Sequence, residues 1–419
     1  MTASWGVVMV SLHTSPLAQP GQGDAGGMNV YVRQLATALA ANGHPVWILT
    51  RRDRPGQRVR ELPVPSLTGA ARATVVPVPA GPATPLPKED LSQWIDDFAR
   101  NAPGALIAAG GCHGSDCRWV VHSHYWLSGL AGLAVAASLN HAPVVHTMHT
   151  MAAVKNAHDE CSVEPEERER AEQRIATAAD LLVANTPAER EELVDHYGAD
   201  RSKIQVTPPG VDTTVFRPDG DSHWPGRPAP LTVLFAGRIQ AHKGPQVVIK
   251  AAELVNRRDP GRPAVAVHLT GAMSGASDLD LERHVVESGL DSWCTMSGPV
   301  SAQELAAFYR AADVVVVPSY SESFGLVSLE AQACGTPVLA HRVGGLTYAV
   351  ADGETGRLVD GLSPEAWADE LESIAADLES WRSMGPAAAR RARGFGWQTM
   401  AAQMSTAYEH LSSAPSREP

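Results

Sequence analysis

The chain has 419 residues, 44% of them hydrophobic, and a formal net charge of −12. That length exceeds one ordinary domain and can bury a core in each of two. The apolar content excludes a disordered chain, and the acidic balance excludes a general nucleic-acid binder, which needs surplus Lys and Arg against phosphates.

The strands and helices alternate in chain order. Short apolar or β-branched runs predict strands at residues 6–12, 45–50, 119–124, 143–147, 180–185 and 203–207,. Residues 30–41 have helical spacing and stop before Gly43, a C-terminal cap,. A cluster of prolines (Pro208, Pro209, Pro218, Pro225, Pro228 and Pro230) then reads as a linker,. Beyond it strands resume at 231–236, 264–270, 294–297, 314–318 and 337–341, and residues 397–411 read as a last helix before a frayed tail from Ser412,. Two successive βα arrays predict an α/β chain of two parallel-sheet domains: residues 1–214, residues 215–395, and a C-terminal segment 396–419 packing back on the first domain. Ligands of such domains bind outside the carboxyl ends of the strands.

The cysteines (Cys112, Cys117, Cys161, Cys294 and Cys334) are odd in number and scattered, which fits reduced thiols,. Cys112 and Cys117 bracket His113 and Asp116; a metal site or, more simply, a variable surface loop accounts for them,. No run approaches the roughly 20 apolar residues of a membrane helix. The N-terminus lacks a basic stretch, apolar segment and cleavage site,. The expectation is a soluble, cytoplasmic protein.

Two runs follow strands of the second array. Gly237-Arg238-Ile239-Gln240-Ala241-His242-Lys243-Gly244 sets two cations in a strand-to-helix turn, which suits a diphosphate at a helix N-terminus,. Taken alone it also fits a solvated loop. Glu322-Ser323-Phe324-Gly325-Leu326-Val327-Ser328-Leu329-Glu330 puts one carboxylate in a turn and another two helical turns on, roughly 12 Å along the axis,. That separation suits a sugar and a ribose diol rather than one bond, and Gly325 lets backbone N–H groups approach a phosphate,.

Together these runs resemble the donor site of retaining GT-B-type glycosyltransferases, whose two Rossmann-like domains face each other across a deep cleft. The resemblance implies that Arg238 and Lys243 bind the donor diphosphate, Glu322 the donor sugar and Glu330 the ribose hydroxyls. In the N-terminal half, residues 11–20 lead into Gly23-Asp24-Ala25-Gly26-Gly27-Met28-Asn29-Val30-Tyr31-Val32. Residues 122–129 (His122 to Gly129) and His146-Thr147-Met148-His149-Thr150 follow. These runs resemble the mycothiol-pathway transferases that join N-acetylglucosamine to an inositol phosphate, over residues 6–410.

Carried over by position, that resemblance implies an acceptor-phosphate cage of Lys88, Tyr125, Thr150 and Arg168. Two cations, a phenol and a hydroxyl are sensible chemistry for a phosphate monoester. It implies inositol contacts from His13, Asp24, Ala25, Gly26, Gly27, Met28 and Asn29, and donor contacts from Gln19, Pro20, Gly27 and Val300. His149 is expected to orient the sugar. The charged stretch 164–174, which carries Arg168, by itself reads as a solvated helix face. The resemblance further implies a magnesium ion on Tyr309, Arg310, Ala312 and Thr336, and a homodimer. The implied substrates are UDP-N-acetylglucosamine and 1D-myo-inositol 3-phosphate. There is no redox cofactor, nucleic acid or membrane among the expected partners. Asp278-Leu279-Asp280 looks like a metal-binding Asp-x-Asp, although its acidic helical context reads as solvated. Three other readings stand beside this one: the same chemistry on fructose 6-phosphate, a silent sugar-nucleotide binder, or a nicotinamide oxidoreductase. The last is disfavoured by the missing Gly-x-Gly-x-x-Gly after the first strand.

Overall fold

The computed structural model describes residues 5–21, 24–64, 71–112, 114, 117–158, 164–226, 229–258, 264–273 and 279–413. Asp278, His113, Asp116, Cys161, Gly23 and the tail beyond residue 413 lie outside them. The chain forms two compact units. The first gathers Met1–Ala18, Gly27–Pro208 and Trp397–Pro419; the second gathers Gln19–Gly26 and Pro209–Gly396. Among the described residues no helix is long and apolar enough to cross a membrane.

The first unit runs β1 (Trp5–Val10), α1 (Gly27–Ala41), β2 (Val46–Arg51), β3 (Arg60–Glu61), β4 (Ala73–Val78), α2 (Ile95–Ala108), β5 (Arg118–His124), α3 (Trp126–Ser138), β6 (Val144–Thr147), α4 (Ala152–His158), α5 (Glu166–Ala178), β7 (Leu181–Ala184), α6 (Pro187–Tyr197) and β8 (Ile204–Val206). Its described strands form one sheet in the order β3-β4-β2-β1-β5-β6-β7-β8. Pairing is parallel except between β3 and β4. Val7, Val8, Met9 and Val10 are all fully buried, because helices cover both faces and the central strand has no solvent side,. Gly43 takes a φ of 93° just after α1, a backbone shape that favours glycine and turns the chain toward β2,. The terminal helix Trp397–Ser413 belongs to this unit. The Trp397 ring meets Tyr31 edge-on, and the Tyr408 hydroxyl lies 2.6 Å from His122 Nδ1.

The second unit runs β9 (Leu231–Ala236), α7 (Pro245–Arg258), β10 (Val265–Thr270), α8 (Leu281–Glu287), β11 (Cys294–Ser297), α9 (Ala302–Ala311), β12 (Val314–Val317), α10 (Leu326–Ala333), β13 (Val338–His341), α11 (Leu346–Ala349), β14 (Gly356–Val359), α12 (Pro364–Ala376), α13 (Leu378–Arg382) and α14 (Gly385–Arg393). Its described strands follow the order β11-β10-β9-β12-β13-β14, all parallel. Numbered within the unit, that is 3-2-1-4-5-6, the doubly wound Rossmann order. Along β9, Leu231, Val233 and Phe235 pack with Trp367 on one face, while Leu234 and Ala236 pack with Tyr309 and Phe324 on the other. The period of two divides one strand between two cores.

Both units are α/β with parallel sheets, in keeping with the sequence reading. The strands read from apolar runs fall within two residues of those observed. β4 was not foreseen, since Pro77 inside it argues against an interior strand,. Nor was β14, a four-residue strand carrying Arg357. The Cys112 and Cys117 sulfurs are paired as a disulfide, where the sequence reading expected reduced thiols. Cys294 and Cys334 are free and buried. Asp280 caps α8 by accepting from the Arg283 N–H at 3.0 Å, an ordinary helix-start role,.

Candidate functional site

In the second unit the strand order reverses between β9 and β12, and a crevice opens where their crossovers leave to opposite sides,. Both sequence runs sit there. The turn after β9 carries Arg238 and Lys243; the turn after β12 carries Glu322. The turns are tied together: Tyr320 N donates to His242 O at 2.8 Å. A methyl group on Gly244 would lie 2.1 Å from the Pro318 carbonyl. Lys243 Nζ donates to Glu322 Oε2 at 2.8 Å, both side chains about one-fifth exposed. The Glu322 turn is braced from behind, since Gly345 N donates to Glu322 O at 2.8 Å. Gly325, with φ 92°, starts α10 and has no side chain of its own to cap it; Ser328 N turns back to Gly325 O at 2.9 Å,.

Glu330 lies within α10 and accepts the Tyr309 hydroxyl at 3.1 Å. Burial pushes its carboxyl up to about 7, against the pull of that hydrogen bond,. The segment Gln19–Gly26 joins this unit too. Ala272 N donates to Gly21 O at 3.2 Å, and Gln19 Nε2 reaches Pro299 O at 3.5 Å. A Cβ on Gly26 would lie 3.3 Å from Arg238 Nε. Arg238, Lys243, Glu322, Gln19, Pro20, Asp24, Ala25, Gly26, Val300 and Glu330 thus belong to one unit. Sequence reading had no signal for the docking of the 19–26 segment, which depends on tertiary contacts.

The first unit reverses its strand order between β1 and β5. The chain after β1 carries His13, and Asn29 at the start of α1 ties back to it, donating to Thr14 Oγ1 at 2.8 Å and Ser15 O at 2.7 Å. Tyr125 follows β5 with φ 74° and ψ 153°, and His149 follows β6 with φ 62°. Non-glycine residues rarely hold such backbone shapes, and they persist where surrounding structure enforces them, commonly at functional sites. The His13 and Tyr125 rings lie 4.6 Å apart. The Arg168 guanidinium stands 4.8 Å over the Tyr125 ring and donates to Thr150 Oγ1 at 2.8 Å and Thr150 O at 2.9 Å.

Arg168 is 1% exposed, which corrects the solvated-face reading of its helix. Its Nε donates to Glu172 Oε1 at 2.7 Å and its Nη1 pairs with Glu164 Oε2 at 2.8 Å. Burial opposes its charge, yet Glu172, Tyr125 and Glu164 more than offset this and raise its pKa. Glu172 also accepts the Tyr197 hydroxyl at 2.5 Å and the Ala152 N–H at 2.8 Å. Glu164 pairs with Lys155 as well. Lys88 is close enough to help depress the Lys155 pKa, although burial is the main cause. His13, Met28, Asn29, Tyr125, Thr150, Arg168, His149, Gly27 and Lys88 share this unit. The contacts link Arg168 directly to Tyr125 and Thr150, and Lys88 only through the field at Lys155. Glu164, Glu172 and Lys155 escaped sequence reading. Their one signal was the i,i+4 spacing of Glu164, Arg168 and Glu172, which looks the same on an exposed helix.

Of the residues of the expected magnesium site, Thr336 meets Tyr309 directly, while Arg310 and Ala312 follow Tyr309 along the chain. Thr336 Oγ1 donates to Tyr309 O at 2.5 Å, at the C-terminal end of α9 where carbonyl oxygens gather and the helix dipole favours a cation,. Carbonyl and hydroxyl oxygens fit a hard cation in a structural role. Arg310 turns its guanidinium to Asp221 O and Arg217 O instead. Among the described residues no group of three or more His, Cys, Asp or Glu side chains is placed to hold a metal.

Residues 224–391 match the family model Glycosyl transferases group 1, and residues 25–215 match Glycosyltransferase Family 4. A D-inositol 3-phosphate glycosyltransferase of Paenarthrobacter aurescens is 50% identical over 405 residues, covering 94% of this chain and 96% of that protein. A protein of the same name from Corynebacterium efficiens is 43% identical over 419 residues, covering 97% and 96%. The structure of a sucrose-phosphate synthase from Thermosynechococcus elongatus superposes with a TM-score of 0.85 at 30% identity, covering 98% of this chain and 100% of that one. Anabaena HepE, solved with UDP-glucose, shares the fold at a TM-score of 0.68 and 16% identity, covering 97% and 99%. With a sheet in Rossmann order in the second unit, a largely parallel sheet in the first, both family models matched and relatives of this identity over nearly the whole chain, the protein belongs to the D-inositol 3-phosphate glycosyltransferase family of GT-B-fold glycosyltransferases.

Proposed function

We propose that the protein moves N-acetylglucosamine from UDP-N-acetylglucosamine to 1D-myo-inositol 3-phosphate with retention of anomeric configuration, the first step of mycothiol biosynthesis. The observation that carries the acceptor half is the Arg168 guanidinium. It is buried, kept charged by two carboxylates, and bonded to the exposed Thr150 hydroxyl beneath the Tyr125 ring. A cation fixed in this way is pre-organised for a phosphate monoester and is ordered before the ligand arrives. Lys88 adds a second cation, and His13, Asn29 and the 24–28 segment supply inositol contacts.

On the donor side, Arg238 and Lys243 bind the diphosphate and Glu330 the ribose hydroxyls. Glu322, which accepts from Lys243, engages the sugar. Gln19, Pro20, Gly27 and Val300 border the nucleotide sugar. The acceptor hydroxyl attacks C1 on the face from which the diphosphate departs, so the bond between C1 and the diphosphate oxygen breaks as the new glycosidic bond forms. The hydroxyl proton passes to a diphosphate oxygen and UDP leaves. Charge developing on that oxygen is met by Arg238, Lys243 and the N–H groups at the start of α10. His149 orients the sugar. A hard cation, when bound, would sit on the carbonyl oxygens at Tyr309, Arg310, Ala312 and Thr336 and brace the end of α9; no step of transfer runs through it. The same reading makes the enzyme a cytoplasmic homodimer, for which sedimentation is the check.

The test is UDP release from UDP-N-acetylglucosamine with 1D-myo-inositol 3-phosphate, beside UDP-glucose with fructose 6-phosphate. Turnover in the first pair alone supports the proposal. Turnover in the second pair alone keeps the donor assignment and removes the acceptor assignment, and none in either leaves a silent binding protein.

A further inference from the structure

The first unit gathers four histidines at the ends of β5 and β6, three of them buried and His149 partly so. His124 stands beside Thr147 in the parallel register, and His146 beside Ser123. His122, His124 and His146 are fully buried. His124 Nδ1 lies 3.0 Å from His149 Nε2. The His122 ring packs 4.2 Å from the His124 ring, and Tyr31 meets both His124 and His149 edge-on at 5.7 Å and 4.8 Å. This apolar setting holds the rings neutral: burial first, then mutual repulsion, pushes His124 and His149 well below the ordinary imidazole value.

We propose that His124 is a positioning residue that fixes the tautomer of His149, so that His149 keeps its proton on Nδ1 and meets the sugar as a hydrogen-bond donor rather than as a base. This rests on the reading of His149 as the sugar-orienting residue. A contact between two neutral imidazoles needs one donor and one acceptor. If His149 donated from Nε2, His124 would accept at Nδ1 and carry its own proton on Nε2. That nitrogen is buried and meets no hydrogen-bond partner among the described residues. The opposite choice, with His124 donating from Nδ1, satisfies the only N–H on its ring and leaves a bare lone pair at Nε2. A buried N–H without an acceptor is the rarer and costlier of the two. His149 therefore accepts at Nε2 and holds its proton on Nδ1.

His146 follows the same logic independently. The Ser123 hydroxyl donates to Val145 O at 3.3 Å, which leaves its oxygen to accept from His146 Nδ1 at 2.8 Å. His146 Nε2, like that of His124, has no partner among the described residues.

The experiment labels the histidines of the full-length protein with nitrogen-15 and reads each tautomer from long-range proton–nitrogen correlations. The His149 proton is expected on Nδ1; finding it on Nε2 overturns the proposal whatever the activity. His124→Phe keeps a ring but no donor, and its kcat should fall about tenfold, the worth of one hydrogen bond, with the acceptor KM unchanged. His124→Asn, whose amide N–H stands where Nδ1–H stood, should restore most of that loss. A rescue by His124→Gln but not by His124→Asn would overturn the assignment, because the glutamine amide reaches the Nε2 position. Unchanged turnover in His149→Ala would remove the sugar-orienting reading while leaving the tautomer result standing.

Discussion

Glu330 offers a pH test of the donor site. Burial raises its carboxyl to about 7, so the group titrates in the working range. Ribose hydroxyls donate hydrogen bonds and therefore favour the carboxylate. Binding should lower the pKa, release a proton, and tighten as pH rises through the free-state value. The ionised fraction grows from roughly 0.09 at pH 6 to roughly 0.9 at pH 8, so affinity for the nucleotide sugar should rise about tenfold across that interval. The diphosphate of a nucleotide sugar does not change charge there, which leaves the protein as the source of the slope. Calorimetry in two buffers of different ionisation heat reads affinity and proton release together. Glu330→Gln cannot ionise, and its affinity should be weak and level with pH. A wild-type affinity that is flat from pH 6 to pH 8, or a Gln variant that keeps the wild-type slope, would refute the assignment of Glu330 to the ribose.

Arg238→Ala should lower turnover on the order of 10²–10³-fold, the scale of one lost transition-state contact, with the unfolding transition unmoved; near-normal turnover would contradict the diphosphate role. Thr150→Val keeps shape and removes a hydroxyl, so it should raise KM for the phosphorylated acceptor while sparing unphosphorylated inositol, and equal effects on both would count against the cage. Arg168→Ala leaves the buried Glu172 without its cationic partner, while Glu164 keeps Lys155, and should destabilise the protein by about 3–5 kcal/mol; a melting curve like that of wild type would show that the buried network matters little. Gly345→Ala would set a methyl 2.2 Å from Ser323 O. Displacing the Glu322 turn in this way should raise the donor KM and leave the acceptor KM alone, as separate titrations of the two substrates would show.

The parallel α/β plan was legible because apolar runs such as Leu231–Ala236 and Val314–Val317 are buried on both faces and need no alternation,. What escaped depends on distance. β4 hides behind Pro77, whose ring argues against a strand until its neighbour β2 is known. The Gln19–Gly26 segment lies early in the chain yet joins the second unit through Ala272 and Pro299, more than 240 residues on, and no local pattern encodes that. Arg238, Lys243, Glu322 and Glu330 were visible as two short runs after strands, since turn chemistry is local. Arg168 was visible only by resemblance, because helical spacing of Glu and Arg does not reveal whether the face is wet or buried. The pairing of His124 with His149 bridges 25 residues and depends on the β5–β6 register, which a single sequence does not display.

The central claim is tested most directly by isolating the product of UDP-N-acetylglucosamine and 1D-myo-inositol 3-phosphate and reading its anomeric proton coupling. One new glycosidic bond in the α configuration of the donor is expected, formed with one UDP released per sugar transferred. A β-linked product would contradict same-face attack, and UDP release with free N-acetylglucosamine as the sole sugar product would contradict the acceptor site built around Arg168.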